Sequence, residues 1–361
     1  MSIKVSAPGR VCLFGEHQDY LGLPVIPMAI DLRVGLEATP RDDELFVVEL
    51  PDINSREVIV LNNLEYTRKR DYFKSILRVL IRNGYSWEQG WHCTVRGDIP
   101  INSGTSSSSA LNNVWCRFLV EVSSEGDKNI TNQQIGRLSY EAEVLEFNEA
   151  GGMMDQYSTA IGGMLFMDFT DPVTIRELDI KPGWFVLGDS LEPKNTEKIL
   201  SETKMPALTA MQKIKSIDSL QSFKGITYKD LQTYSSLLTA LEKRIMEGVI
   251  RNRDITLKAL FELQQPEPDN RLIGKLLTEH HFFLDKNLGI STPKINRMID
   301  AALKAGAFGG KINGSGGGGC MFAYAPDNPE EVADAIRSEG AEAYVIQISK
   351  GLVVNDGTLR K

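Results

Sequence analysis

Residues 100–110, PINSGTSSSSA, place a glycine and a run of hydroxyls directly ahead of an apolar segment over 111–122. A loop entering a helix leaves orphan backbone N–H groups pointing out of the helix start. The positive end of the helix dipole points the same way, so the pair forms a natural phosphate site. Gly104 supplies backbone freedom, and Ser106, Ser107, Ser108 and Ser109 add hydroxyls suited to phosphate oxygens or a metal ion. The same composition also describes a flexible Ser-rich linker. The prompt return to Leu111, Val114, Trp115, Phe118, Leu119 and Val122 argues against the linker. A second chemically dense stretch, GEHQDYLGLP at 15–24, gathers Glu16, His17 and Asp19 in a loop.

The elements that must position these loops follow from hydropathy patterning. Alternation predicts strands over 3–7, 10–14, 25–29, 31–38, 44–50, 57–61 and 91–95, with a break at Pro8-Gly9. Phe73, Ile76, Leu77, Leu80 and Ile81 recur at helical spacing within 71–83. Thr131 with Gln134 is a capping box opening a helix that carries Ile135, Leu138, Ala142 and Leu145 on one face. A short helix is expected over 153–161 and strands over 164–169 and 184–187. Helices are expected near 207–222, 228–247, 251–264 and 270–286. Thr292-Pro293 caps a further helix to about 305. A glycine loop, a strand over 320–325, a helix over 329–338 and a strand over 343–348 close the chain. This order suggests two α+β domains, 1–185 and 186–361.

The 361 residues suffice for two packed cores. A net charge of −8 and 42% hydrophobic residues fit an ordinary globular chain and disfavour nucleic acid or an anionic membrane as partner. Cys12, Cys93, Cys116 and Cys320 lack metal-binding spacing and are expected to stay reduced, in a cytoplasmic setting. No run is long and apolar enough for a membrane span, and the first residues carry no secretory pattern.

Residues 6–30 (SAPGRVCLFGEHQDYLGLPVIPMAI), 100–110 and 311–320 (KINGSGGGGC) together resemble the GHMP small-molecule kinases, which include galactokinases, homoserine kinases, mevalonate kinases and phosphomevalonate kinases. The first stretch is similar to the galactokinase core GRVNLIGEHTDY, here GRVCLFGEHQDY from Gly9 to Tyr20. Residues 151–156, GGMMDQ, resemble that branch's GIMDQ. The resemblance implies a two-domain α+β fold, with an N-terminal phosphate-loop domain and a C-terminal ferredoxin-like domain. It also implies ATP and Mg²⁺ and a small-molecule sugar substrate. Asp155 matches the catalytic aspartate that takes the acceptor's proton and contacts the substrate, and Arg10 matches the arginine paired with it. Glu16, His17 and Asp19 match residues that bind sugar hydroxyls. Ser108 and Glu143 match the Mg²⁺ ligands, and the glycine loop, including Gly316, matches one that approaches substrate and phosphates. Without the resemblance, Asp155 reads as a helix cap, Arg10 as a surface ion pair and Glu143 as a solvated helix face.

The pattern departs at Cys12, Gln18, Thr105 and Gly317, and most clearly at 188–197. There GDSLEPKNTE stands where galactokinases carry an NSNVRH-like stretch. Lys194 in that segment reads either as an anion contact or as a surface lysine. The resemblance favours transfer to the anomeric hydroxyl of a hexose, with galactose first. A heptose phosphate, a uronic acid and arabinose are the alternatives, and GEHQDY suits hydroxyls better than a mevalonate-type acceptor. A galactokinase-like sugar sensor without catalysis is the rival from another class, set against the intact Arg10, Ser108, Glu143 and Asp155. A Rossmann dehydrogenase fails because GSGGGG precedes a strand rather than a helix.

Overall fold

The computed structural model describes residues 2–149, 151–170, 173–194 and 196–355. In chain order the first part comprises β1 (Ile3–Phe14), β2 (Ile26–Pro40), β3 (Leu45–Leu50), β4 (Ser55–Val60), α1 (Tyr72–Arg82) and β5 (Trp91–Gly97). It continues with α2 (Ser107–Val122), α3 (Asn132–Tyr140), α4 (Met154–Ile161), β6 (Met164–Asp168) and β7 (Thr174–Leu178). The second part comprises β8 (Phe185–Asp189), α5 (Thr196–Lys215), α6 (Tyr228–Thr233), α7 (Ala240–Leu263), α8 (Asn270–Phe283) and α9 (Pro293–Lys304). It ends with β9 (Gly309–Ile312), β10 (Cys320–Tyr324), α10 (Pro329–Arg337), β11 (Glu342–Ile346) and β12 (Val353–Val354).

One sheet runs β12-β1-β2-β5-β3-β4, with β6 joining β2 and β7 joining β6. The other runs β11-β8-β10-β9, entirely antiparallel. Counted within its own part, that is strand order 4-1-3-2, the ferredoxin-like arrangement of a split βαβ. Helices α5 to α8 are inserted after its first strand. The chain's last strand returns to the first sheet, where Val5 pairs with Val354.

Helix α2 crosses the first sheet with apolar residues on nearly every side, as a helix inside a core must have. Trp115, Phe118 and Phe46 meet edge-on or tilted, and Trp115 Nε1 donates to Phe73 O at 3.1 Å. Asn113 Nδ2 donates to Gln156 O and Thr159 Oγ1, both at 2.8 Å, and so fixes α4 against α2.

Three expectations are corrected. Pro8-Gly9 does not break the first strand. β1 continues through it with a shift of register between Pro8 and Arg10, the kind of irregularity that admits proline and glycine within a sheet. The helix opened by Thr131 narrows to α3 and passes into a π-turn over Glu141–Leu145. That turn rotates Leu145 out of the predicted apolar face to 54% exposure. The region 228–264 divides at Thr239, not near 250. A capping box between Thr239 and Glu242 starts α7, which then runs unbroken to Leu263. Among the described residues no helix is long and apolar enough to cross a membrane.

Candidate active site

The loop ahead of α2 alternates left-handed residues: Asn102 at φ 57°, Gly104 at 95° and Ser106 at 61°. Such alternation turns successive N–H groups toward one concavity, an anion nest placed here at a helix start. Ser103 Oγ donates to Pro100 O at 2.7 Å and stiffens the loop. Ser106 Oγ is buried and has no protein partner, a hydroxyl left for a polar ligand. From below, Arg10 N donates to Thr105 O at 3.1 Å. From the second sheet, the glycine loop comes so close that a methyl group on Gly314 would stand 2.8 Å from Gly104 Cα. Asn313 bridges both sides, accepting from Cys12 N and donating to Gly104 O, each at 2.9 Å.

Arg10 projects from β1 toward the first turn of α4. Its Nε donates to Asp155 Oδ1 at 2.9 Å and its Nη2 lies 2.7 Å from the same oxygen, while Nη1 donates to Gly104 O. One guanidinium thus joins the carboxylate to the phosphate loop. The arginine is buried, and its pKa is raised by the Asp155 and Glu16 charges against the opposing pull of burial. Asp155 sits at the cleft surface with its side chain about one third exposed (32%).

The loop after β1 is more internally bonded than its sequence suggests. Glu16 Oε2 pairs at 2.9 Å with the fully buried Lys311, which also donates to Cys12 O at 2.8 Å. His17 Nε2 faces Ser315 O at 3.0 Å, so that nitrogen carries the proton. Its Nδ1 then accepts from Tyr20 Oη at 2.8 Å. Burial lowers the imidazole pKa and favours this neutral form. Glu16 Oε2 and both His17 nitrogens are therefore engaged by protein partners. Asp19 differs. Its carboxyl lies against Gly152, where any Cβ would overlap it, and is pushed up to about 6, mainly by burial and then by the Asp155 charge.

Glu143 lies within the π-turn. It accepts from Ser108 Oγ at 3.1 Å and from Gln156 Nε2 at 2.8 Å, and burial raises its pKa. Ser108 Oγ and the Glu143 carboxylate form an all-oxygen pair beside the nest. That donor set fits Mg²⁺, which keeps several waters and shares phosphate oxygens. Among the described residues no cluster of three or more His, Cys, Asp or Glu offers a denser metal site.

These groups line one cleft of about 690 Å³, bounded by the nest, α4, the 16–20 loop and the start of α5. Arg10, Glu16, His17, Asp19, Gly104, Ser106, Ser107, Ser108, Ser109, Glu143 and Asp155 all border it. Gly316 does not. At φ 83° it packs against Ile290, and its neighbours Gly314 and Ser315 reach the cleft instead. In the sequence Lys311 and Asn313 stand out only as parts of the 311–320 motif, and Tyr20 only as the end of GRVCLFGEHQDY. Lys311 meets Glu16 and Cys12 across 295 and 299 residues, and Asn313 meets Gly104 and Cys12 across 209 and 301, separations that no local pattern reveals. Within the 188–197 segment, residue 195 lies outside the described residues, and Lys194 borders the cleft.

Comparison with known proteins agrees with this architecture. Residues 71–163 match the GHMP kinases N terminal domain, residues 256–342 the GHMP kinases C terminal model, and residues 2–40 the galactokinase galactose-binding signature. A mevalonate kinase of Thermococcus gammatolerans is 30% identical over 97% of both chains. A galactokinase of Pyrococcus furiosus is 29% identical over 98% of this chain and 99% of its own. Among solved structures, Lactococcus lactis galactokinase complexed with galactose superposes with a TM-score of 0.85 at 22% identity, covering 98% of this chain and 95% of that one. The Methanococcus jannaschii mevalonate kinase does so at 0.71 and 22% identity, over 96% and 98%.

Proposed function

Because the chain belongs to the GHMP kinases, phosphotransferases that act on hydroxyl groups, we propose that it is an ATP- and Mg²⁺-dependent kinase of a sugar, transferring phosphate to the anomeric hydroxyl of a hexose of the galactose type. The observation that carries this reading is Asp155, held by Arg10 across the cleft from the hydroxyl-lined nest at the start of α2. In that arrangement the acceptor oxygen forms a bond to the terminal phosphorus and its proton passes to Asp155. The bond from that phosphorus to the bridging oxygen breaks, and its electron pair leaves on ADP. Phosphoryl transfer of this kind depends chiefly on positioning and charge neutralisation. Arg10 supplies both: it orients the carboxylate and presents positive charge at the reacting centre. Ser108 and Glu143 would hold Mg²⁺, which neutralises phosphate charge when bound.

The galactose-binding signature over 2–40 supports the sugar as acceptor. A mevalonate-type acceptor has two observations in its favour: the identity with the Thermococcus gammatolerans enzyme, and the internal bonding of Glu16 and His17. ADP release from Mg²⁺-ATP, measured against free and phosphorylated sugars and mevalonate, separates the two. Galactose turnover with a 1-phosphate product supports the first reading, and turnover of mevalonate alone replaces it with the second. Sugar binding without turnover would make the protein a sensor.

Two further outcomes test individual roles. Glu143→Gln is expected to raise the Mg²⁺ concentration for half-maximal rate by roughly tenfold or more, since even indirect metal contacts matter by that much. An unaltered Mg²⁺ titration would remove Glu143 from the ligand set. Asp19 titrates near 6, so as an acceptor of hydroxyl protons it loses that capacity as pH falls through 6. The KM for the acceptor should rise over that interval, and Asp19→Asn should abolish the step. Persistence of the same profile in the variant would assign the titration elsewhere.

A further inference from the structure

The segment after β8 is pinned at several points and ends by delivering one ammonium group into the cleft. Ser190 Oγ donates to Gly319 O at 2.7 Å, and Lys294 Nζ donates to Ser190 O at 2.7 Å. Glu192 Oε2 accepts from Thr292 Oγ1 at 2.5 Å, and Glu192 O accepts from Gly319 N at 3.2 Å. Leu191 holds a left-handed backbone at φ 60° while 60% exposed, a conformation that a non-glycine residue keeps only when its surroundings impose it. Two residues beyond Glu192, Lys194 turns back over the phosphate loop: a methyl group on Gly104 would stand 3.4 Å from its Nζ. Gly104 is also the residue whose carbonyl receives Arg10 Nη1. Lys194 is half-buried, and no carboxylate lies within ion-pair distance of it among the described residues. Burial and then the nearby Arg10 charge lower its pKa, against the opposing pull of the Asp155 and Glu16 charges.

We propose that Lys194 is a further catalytic residue of this site, contacting the terminal phosphoryl group of ATP during its transfer. The inference rests on the kinase reading above. Two fixed cations would then flank the phosphate loop, Arg10 from the first sheet and Lys194 from the second. Charge on the equatorial oxygens of the moving phosphoryl group is stabilised most effectively by donors already in place. The bonds made and broken are those of the transfer already described. Lys194 donates hydrogen bonds and keeps its proton throughout.

Calorimetric titration with Mg²⁺-ADP and with a non-hydrolysable Mg²⁺-ATP analogue tests the contact without turnover. Lys194→Met is expected to weaken the triphosphate analogue by about ten- to a hundredfold, the loss of one charged hydrogen bond, with ADP affinity unchanged. Its kcat should fall by a similar factor for every acceptor, and Lys194→Arg should recover much of both. Unchanged affinity for the analogue in Lys194→Met would overturn the proposal. So would a loss confined to acceptor KM, which would make Lys194 a counter-charge for an anionic acceptor. A wild-type protein that binds neither nucleotide would instead overturn the kinase reading itself.

Discussion

Asp155→Asn is expected to lower kcat by about 10²- to 10⁴-fold, the range that a positioned general base contributes. The substitution is nearly isosteric, and its amide oxygen still accepts from Arg10 Nε and Nη2, now 2.9 and 2.7 Å from Asp155 Oδ1. Arg10 thereby keeps its anchor on Gly104 O, and the nest ahead of α2 is undisturbed. Mg²⁺-ADP affinity should therefore stay at the wild-type value, and the loss should appear in the chemical step. Asp155 also caps nothing that the variant would release: its backbone carbonyl, not its side chain, accepts from Thr159 Oγ1 at 2.7 Å. Pre-steady-state phosphoryl transfer, followed beside nucleotide binding, reads the two quantities separately. Wild-type turnover in the variant would remove Asp155 from the role of base. Equal losses in turnover and nucleotide affinity would make it a structural partner of Arg10.

Of the residues bordering the cleft, the hydroxyl nest is legible in the local sequence, whereas Arg10, Asp155 and Glu143 take their roles only from the family resemblance. A glycine and hydroxyls before an apolar helix announce the nest in the chain itself, and Asp155 falls in the first turn of a helix announced by Gly151 and Gly152. Elements whose form is set by distant contacts were less legible. Pro8-Gly9 looks like a break, yet β2 on one side and Thr105 above keep β1 extended through it. Within 228–264 the apolar period runs on across the junction. The decisive local signal was the Thr239–Glu242 box, which outweighs the continuing period because it satisfies orphan N–H groups. The π-turn that aims Glu143 is invisible to a 3.6-residue template, since it gains one residue in a single turn. His17 shows the remaining difficulty. The family resemblance implies a substrate contact for it, and in the structure Tyr20 and Ser315 also engage its two nitrogens, the second from 298 residues away.

The largest stability effect is expected at Lys311, where the two sheets meet behind the cleft. Its side chain is fully buried, Glu16 is 3% exposed, and the 2.9 Å contact between them crosses from β9 to the loop after β1. Lys311→Met takes the paired ammonium from the buried Glu16 carboxylate and the donor from Cys12 O. Breaking such a pair by removing one partner costs about 3–5 kcal/mol, because the surviving buried charge loses its direct counter-ion. Removing both charges leaves no stranded ion, so the double variant Glu16→Gln, Lys311→Met should be more stable than Lys311→Met alone. Denaturant unfolding of the three proteins gives the comparison. A double variant as unstable as the single one would place the cost in lost packing against Phe322, whose ring lies 5.0 Å from Lys311 Nζ. The same pair fixes the start of the 16–20 loop relative to the strand that leads into Asn313, Gly314 and Ser315. Loss of the ion pair should therefore also loosen the His17–Ser315 contact, and acceptor KM should rise in the single variant before global unfolding sets in. The stability and the acceptor side of this site thus depend on one buried contact between residues 295 positions apart.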